Sequence, residues 1–512
     1  MPGMGIDNLK HKLLNELMGK LINLLVIILL IFELHHSFYL RGIGYDQIPE
    51  TSIVLDERTW VWQGLSIRSS GIPAGWSELP VYRKGFGKVD GLNLAYDGIK
   101  PNLSNYSNFP KPIHSIVEMD NGKGIRHTVL VQPLIEKAPL GGLILSLWVP
   151  SSVKTFTDLV PHDLRKGSLY MAVVTQTLIF VLAWQVFKNP WIGLLSSTLY
   201  GNIPIYLLMS RYALLENVMN PFLLLMLILL NFTKDYPHKS KILLVLCGVV
   251  AGLATLVKIT AWAFVLVGFF LLLYWRIRFK STAFFLIPAI LVGFLYFIWG
   301  FYLDPKLFYD IFFHLGTYEG FVGSLNFLTN AVKVNILHFP FEGWWLMGFI
   351  SLILLPKQKE LSSIYSAIIA GLVAAIAFVG YNNPWYYIPL IPFFCIAIAS
   401  FFWMVATKPS LFNIPIFFLG FFSISFFWGY IVYKTPAELP YWAYQKYNLY
   451  RFLFFFFMIC GLGWSLYQSK KIKFLWIILM LFIIFYMLIW NERSLFYILS
   501  HWGKIPEIVV LE

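Results

Sequence analysis

Unbroken apolar runs of about 16 to 22 residues, joined by polar connectors, set the pattern of this 512-residue chain. They fall near 21–40, 168–187, 191–209, 217–232, 242–257, 261–275, 281–300, 340–355, 361–380, 385–406, 411–430, 451–468 and 474–490, and predict about 13 membrane-spanning helices. In a bilayer every backbone donor and acceptor must be satisfied within the protein, which leaves helices or a closed barrel. Barrel strands read as short segments of alternating polarity, and these runs do not alternate. The pattern therefore predicts an all-α integral membrane protein.

Composition agrees, since 58% hydrophobic and 13% charged residues leave too little polar surface to solvate a globule of this length. The run at 21–40 follows Lys10, Lys12 and Lys20. It is longer than a signal-peptide core and no small-residue cleavage site follows, so it reads as a retained first span. With the N-terminus inside, the loops on that side carry Lys188, then Lys234, Lys239 and Lys241, then Arg276, Arg278 and Lys280, then Lys357 and Lys359, Lys408, and Lys470, Lys471 and Lys473. The short loops on the other side are poorer in positive charge, as the positive-inside rule requires. The layout is then a cytoplasmic N-terminus (1–20), the first span (21–40), an extracytoplasmic loop (41–167) with juxtamembrane helices, spans (168–300), a second extracytoplasmic loop (301–339), spans (340–490) and an extracytoplasmic tail (491–512).

The net charge of +13 fits anionic lipid headgroups, and no nucleic-acid motif accompanies it. Cys247, Cys395 and Cys460 all lie in apolar runs far apart, which predicts neither a disulfide framework nor a thiolate metal site. No His/Cys/Asp cluster has metal-ligand spacing and no Asp-x-Asp pair occurs; no cofactor is predicted, although carboxylates alone can hold a divalent metal. Asn102-Leu-Ser and Asn105-Tyr-Ser match the glycosylation tripeptide, which also arises by chance.

The two long outer segments are the places for chemistry. Just past the first span stand Asp56 and Glu57, a pair that fits either an acid–base site or the opening turn of a juxtamembrane helix. Further on come Glu136-Lys137-Ala138-Pro139-Leu140, Ser210-Arg211-Tyr212-Ala213-Leu214-Leu215-Glu216, Gly252-Leu253-Ala254-Thr255-Leu256-Val257-Lys258 and Trp385-Tyr386-Tyr387-Ile388-Pro389. The second loop holds Asp304-Pro305 and the aromatic stretch from Ile311 to Glu319 with His314. Lys137, Arg211 and Lys258 at a membrane boundary fit phosphate binding or simple snorkelling. Glu216 fits substrate contact or pairing with Arg211. Glu33, inside the first span beside His35 and His36, fits a functional or a snorkelling role.

In their order these segments resemble GT-C-type membrane glycosyltransferases, above all the aminoarabinose transferases and protein O-mannosyltransferases, whose outer loop carries Asp-Glu and then Glu-Lys-Pro-Pro-Leu. Ala138 stands here in place of one proline. The resemblance implies an inverting transfer of sugar from a polyprenyl-phosphate carrier to a lipid, protein or glycan acceptor at the outer membrane face. It implies Asp56 as base or electrostatic anchor with Glu57 in support, and Lys137 and Arg211 on the lipid phosphate. Glu136, Glu216, Lys258, His314 and Glu319 become substrate-binding candidates, the last two in a loop that closes over the donor. Competing readings are a transporter or flippase for lipid-linked sugars, a scaffold without chemistry, and a transferase using a pyrophosphate-linked oligosaccharide. Against transport stand the grouping of ionisable residues at one boundary and a first loop with no counterpart in the second half.

Overall fold

The computed structural model describes residues 6–48, 55–77, 79–83, 113–120, 125–235, 240–317, 343–354, 362–377, 388–421, 424, 455–456, 458–463 and 470–500. Helix α1 (Ile6–Gly42) carries the first apolar run. Its Leu24, Ile28, Ile31 and Phe32 face outward, while Val26 and Leu30 pack on Phe180 of α4 (Pro161–Phe187). An outward apolar face is what lipid solvent permits and water does not.

The run at 191–209 is not one straight span. It forms α5 (Pro190–Asn202) and α6 (Pro204–Arg211), bent by 68° at Ile203. Pro204 supplies no N–H to continue the ladder and holds Ile203 in an extended conformation (φ −67°, ψ 122°). Every residue of α6 is buried.

Then follow α7 (Leu215–Asp235), α8 (Ser240–Val257), α9 (Trp262–Tyr274), α10 (Phe279–Leu303) and α11 (Pro305–Thr317). The later helices are α12 (Gly343–Leu354), α13 (Ser362–Ala377), α14 (Ile391–Thr407) and α15 (Lys470–Ser500). Helix α14 runs through the core, with all but three of its residues buried, whereas α10 and α15 turn Leu291, Phe294, Leu481 and Phe482 outward.

Among the described residues, 6 helices are long and apolar enough to cross a membrane, or 7 if the bent pair is one span. The chain is a multi-pass integral membrane protein. Helices α8, α9 and α12 are apolar but shorter, and much of the predicted runs 411–430 and 451–468 lies outside the described residues.

Three features lie within the segments marked out by the sequence. The 41–167 loop holds a sheet as well as juxtamembrane helices, a departure from an all-α fold: between α2 (Leu55–Ser70) and α3 (Pro139–Ser146) lie β1 (Gly75–Trp76), β2 (Ile113–Asp120) and β3 (Ile125–Val131), antiparallel in the order β1-β3-β2. The segment set at 301–339 begins inside α10 and continues as helix α11, whose first turn is closed by the Leu307 N–H donating to Asp304 Oδ1 at 2.9 Å. The tail set at 491–512 starts inside α15, because Asn491 is buried, donates to Asn202 Oδ1 (3.0 Å) and accepts from the Trp344 indole (3.1 Å). Buried amides that find partners hold a helix in the bundle as firmly as apolar contacts do.

Helices α2 and α3 meet backbone to backbone. A Cβ on Gly64 would stand 2.0 Å from the Gly142 carbonyl oxygen, and one on Gly142 2.5 Å from that of Trp60. On its other side Gly141 leaves room for Leu215 of α7 and Val257 of α8. Small residues here bring four helices within reach of one another.

Candidate active site

Asp56 and Glu57 occupy the first turn of α2, where the helix dipole favours negative charge. Neighbours on a helix point about 100° apart, so the two carboxylates enter different surroundings. Glu57 turns inward and is fully buried. Arg165 of α4 grips it with Nη2 at 2.9 Å from Oε2 and Nε at 3.1 Å from Oε1, and the Ala213 N–H donates to Oε1 at 2.7 Å. The same guanidinium donates to the Tyr45 carbonyl at 2.8 Å and lies 5.2 Å over the Tyr212 ring. Glu57 thus joins α2, α4 and the α6–α7 connection.

Asp56 is half-buried and faces the other way, towards the positive charges of Lys137 and Lys258. Burial raises its pKa above the usual carboxylate value, and the two lysines pull it part of the way back. Lys258, at the end of α8, pairs with Glu216 in the first turn of α7. Lys137 lies 3.5 Å from Glu136 Oε1 and is 37% exposed. Glu136 in turn accepts from Ser77 Oγ at 2.6 Å.

The strand of chain bearing Glu136 and Lys137 is clamped from three sides. The Ile135 N–H donates to Tyr82 Oη at 3.0 Å, Tyr296 Oη of α10 donates to the Ile135 carbonyl at 2.9 Å, and Gln63 Nε2 of α2 donates to the Lys137 carbonyl at 2.9 Å. Burial pushes the Tyr82 phenol well above its ordinary value, so it stays protonated. Ala138 then caps α3 with φ −63° and ψ 143°, and Pro139 takes the first helical position.

The structure thus gathers Asp56, Glu136, Lys137, Glu216 and Lys258 at one end of the bundle. Arg211 is placed differently: it is buried, with Nη2 donating to the Leu40 carbonyl at 2.8 Å and Nη1 to that of Ile48 at 3.4 Å, so it closes the end of α1. Glu216 takes Lys258 as its partner in place of Arg211. His314 lies on α11, and Glu319 and Trp385–Tyr387 fall outside the described residues.

Arg165, Gln63, Tyr82 and Tyr296 went unnoticed in the sequence. Arg165 stands just before an apolar run and reads as a boundary cation, and nothing local marks the other three. Among the described residues no group of three or more His, Cys, Asp or Glu is placed to hold a metal ion.

No family model matches the chain and no curated protein matches it. Among solved structures it is similar to the archaeal oligosaccharyltransferase AglB from Archaeoglobus fulgidus in complex with an inhibitory peptide and a dolichol-phosphate (TM-score 0.41, 12% identity, covering 83% of this chain and 59% of that one). It is also similar to the Archaeoglobus fulgidus oligosaccharyltransferase tethered with an acceptor peptide (TM-score 0.41, 11% identity, 83% and 58%) and complexed with Zn and sulfate (TM-score 0.34, 13% identity, 57% and 44%). These structural neighbours are GT-C-type glycosyltransferases. The chain spans about three fifths of the length of the first of them. What its own residues do follows from its own geometry.

Proposed function

We propose that the chain is an inverting glycosyltransferase that moves a sugar from a polyprenyl-phosphate carrier to a lipid, protein or glycan acceptor. The observation that carries this is Asp56, a half-buried carboxylate at a helix N-terminus facing two lysines drawn from separate parts of the chain.

In the proposed step the acceptor hydroxyl oxygen attacks the anomeric carbon as the bond from that carbon to the donor phosphate oxygen breaks. The hydroxyl proton passes to Asp56, and the bonding pair leaves with the lipid phosphate. A carboxylate whose pKa lies above the ordinary value takes up that proton more readily than an exposed aspartate. Lys137 and Lys258 meet the negative charge the phosphate gains, and Glu216 keeps Lys258 turned towards the site. Arg211, expected on the phosphate, we assign to the end of α1. The basic loops belong to the opposite end of the bundle, so this end faces away from the cytoplasm.

The test is sugar release by the purified full chain from a panel of radiolabelled polyprenyl-phosphate sugars, wild type against Asp56→Asn. Turnover by wild type, falling at least about a hundredfold in a folded mutant, is the expected result. Equal turnover by the two proteins would remove Asp56 from the reaction.

A further inference from the structure

The end of the bundle far from Asp56 has a surface that the transfer reaction does not use. Helices α8 and α10 run parallel: Gly248 packs on Phe285, Gly252 on Ala289 and Val292, and Gly293 on Thr255. Their N-termini therefore lie side by side, with Lys241 on one and Arg278 and Lys280 at the other. The end of α7 adds Lys234, and the α9–α10 turn adds Arg276. Five cations from two stretches of the chain thus share one end of the bundle.

Two features set this cluster apart from scattered surface lysines. The turn is fixed: Trp275 is buried, donates through its indole to Ser362 Oγ at 2.8 Å, and carries the Lys234 ammonium 5.6 Å over its ring. Arg276 follows at φ 60°, a left-handed conformation that glycine adopts freely and arginine does not. The cations also sit on an apolar floor, because Lys241 Nζ lies 5.6 Å over the Phe284 ring, and Ile242, Leu246, Phe279 and Ile287 are exposed below it. Charge at the boundary, with exposed apolar side chains running down two adjacent helices, complements a molecule that has an anionic head and hydrocarbon tails.

We infer that the ends of α7, α8, α9 and α10 bind an anionic phospholipid, its phosphate among Arg276, Arg278, Lys280 and Lys241 and its acyl chains along α8 and α10. Helix α8 has 18 residues, about 27 Å at 1.5 Å per residue, so this surface lies one bilayer core away from Lys258 and belongs to the other leaflet.

The experiment uses the purified full chain in detergent, delipidated and then offered equal amounts of phosphatidylglycerol and phosphatidylcholine, with retained lipid counted by native mass spectrometry. Wild type retains phosphatidylglycerol in preference, the preference falls as salt rises, and glycerol phosphate at the same concentration does not compete. In the R276Q/R278Q/K280Q variant the preference drops on the order of a hundredfold, roughly fivefold for each cation removed. The R276K/R278K variant keeps most of it. Equal retention of the two lipids by wild type, an undiminished preference in the triple variant, or displacement by glycerol phosphate would each overturn the inference. Since the readout is lipid retention, it stands or falls separately from sugar transfer.

Discussion

Replacing Glu57 with Gln leaves the Arg165 guanidinium buried without a counter-charge, and uncompensated buried charge is costly. Glu57→Gln should lower stability by about 3–5 kcal/mol, read as a fall in the detergent melting temperature. Asp56→Asn should do the opposite while abolishing transfer. A carboxyl whose folded pKa is raised above its ordinary value of 3.8 favours the folded state at low pH, and that contribution is lost as pH rises through the raised value. The asparagine variant has no such loss, so its melting temperature should exceed that of wild type above the raised pKa and match it below 3.8. Activity should rise with pH across the same window as Asp56 ionises. A shared drop in stability for both substitutions would mean that Asp56 is structural. Asp56, Lys137, Glu216 and Lys258 were legible in the sequence because charges next to apolar runs are conspicuous. The inward role of Glu57 was not, since its partner lies 108 residues away.

At the scale of elements, α2 and α3 act as one unit because Gly64 and Gly142 admit no side chain between them. Gly142→Ala should cost about 1–3 kcal/mol and reduce activity, since any parting of these helices moves Asp56 relative to Lys137. Ala138 offers the reverse case. Its φ of −63° suits proline, and no described residue accepts a hydrogen bond from its N–H. Ala138→Pro should therefore raise stability by about 0.4–1 kcal/mol with activity retained, and a loss on both counts would show that the segment needs its freedom. The apolar runs made the long helices predictable. The sheet was hidden because β1 has two residues and β2 and β3 interleave charged with apolar positions in an outer loop. The bend at Ile203 was signalled by Pro204 but lay within a run whose hydropathy never falters.

For the whole molecule, the proposed orientation is checked by cysteine labelling in a background lacking Cys460, the exposed native thiol. A cysteine at exposed Ser151, near the Asp56 end, should react from outside intact cells, and one at exposed Arg278 should not. The reverse pattern would put the candidate site in the cytoplasm. The proposed orientation rests on the positive-inside bias, which depends only on which loops hold Lys and Arg.

The partners of α1 have a further consequence, for the order of biosynthesis. Arg41 is fully buried and bonds Gln176, Tyr200 and Ser210, and the Leu40 carbonyl near the helix end is met by Arg211, so none of these partners exists when the first span leaves the ribosome. Until about 170 more residues have been made, a time on the order of ten seconds or more, the Arg41 guanidinium has only interfacial water to bond. The first span therefore enters the membrane before its own contacts exist, and it docks into the bundle only once α4, α5 and α6 have been made.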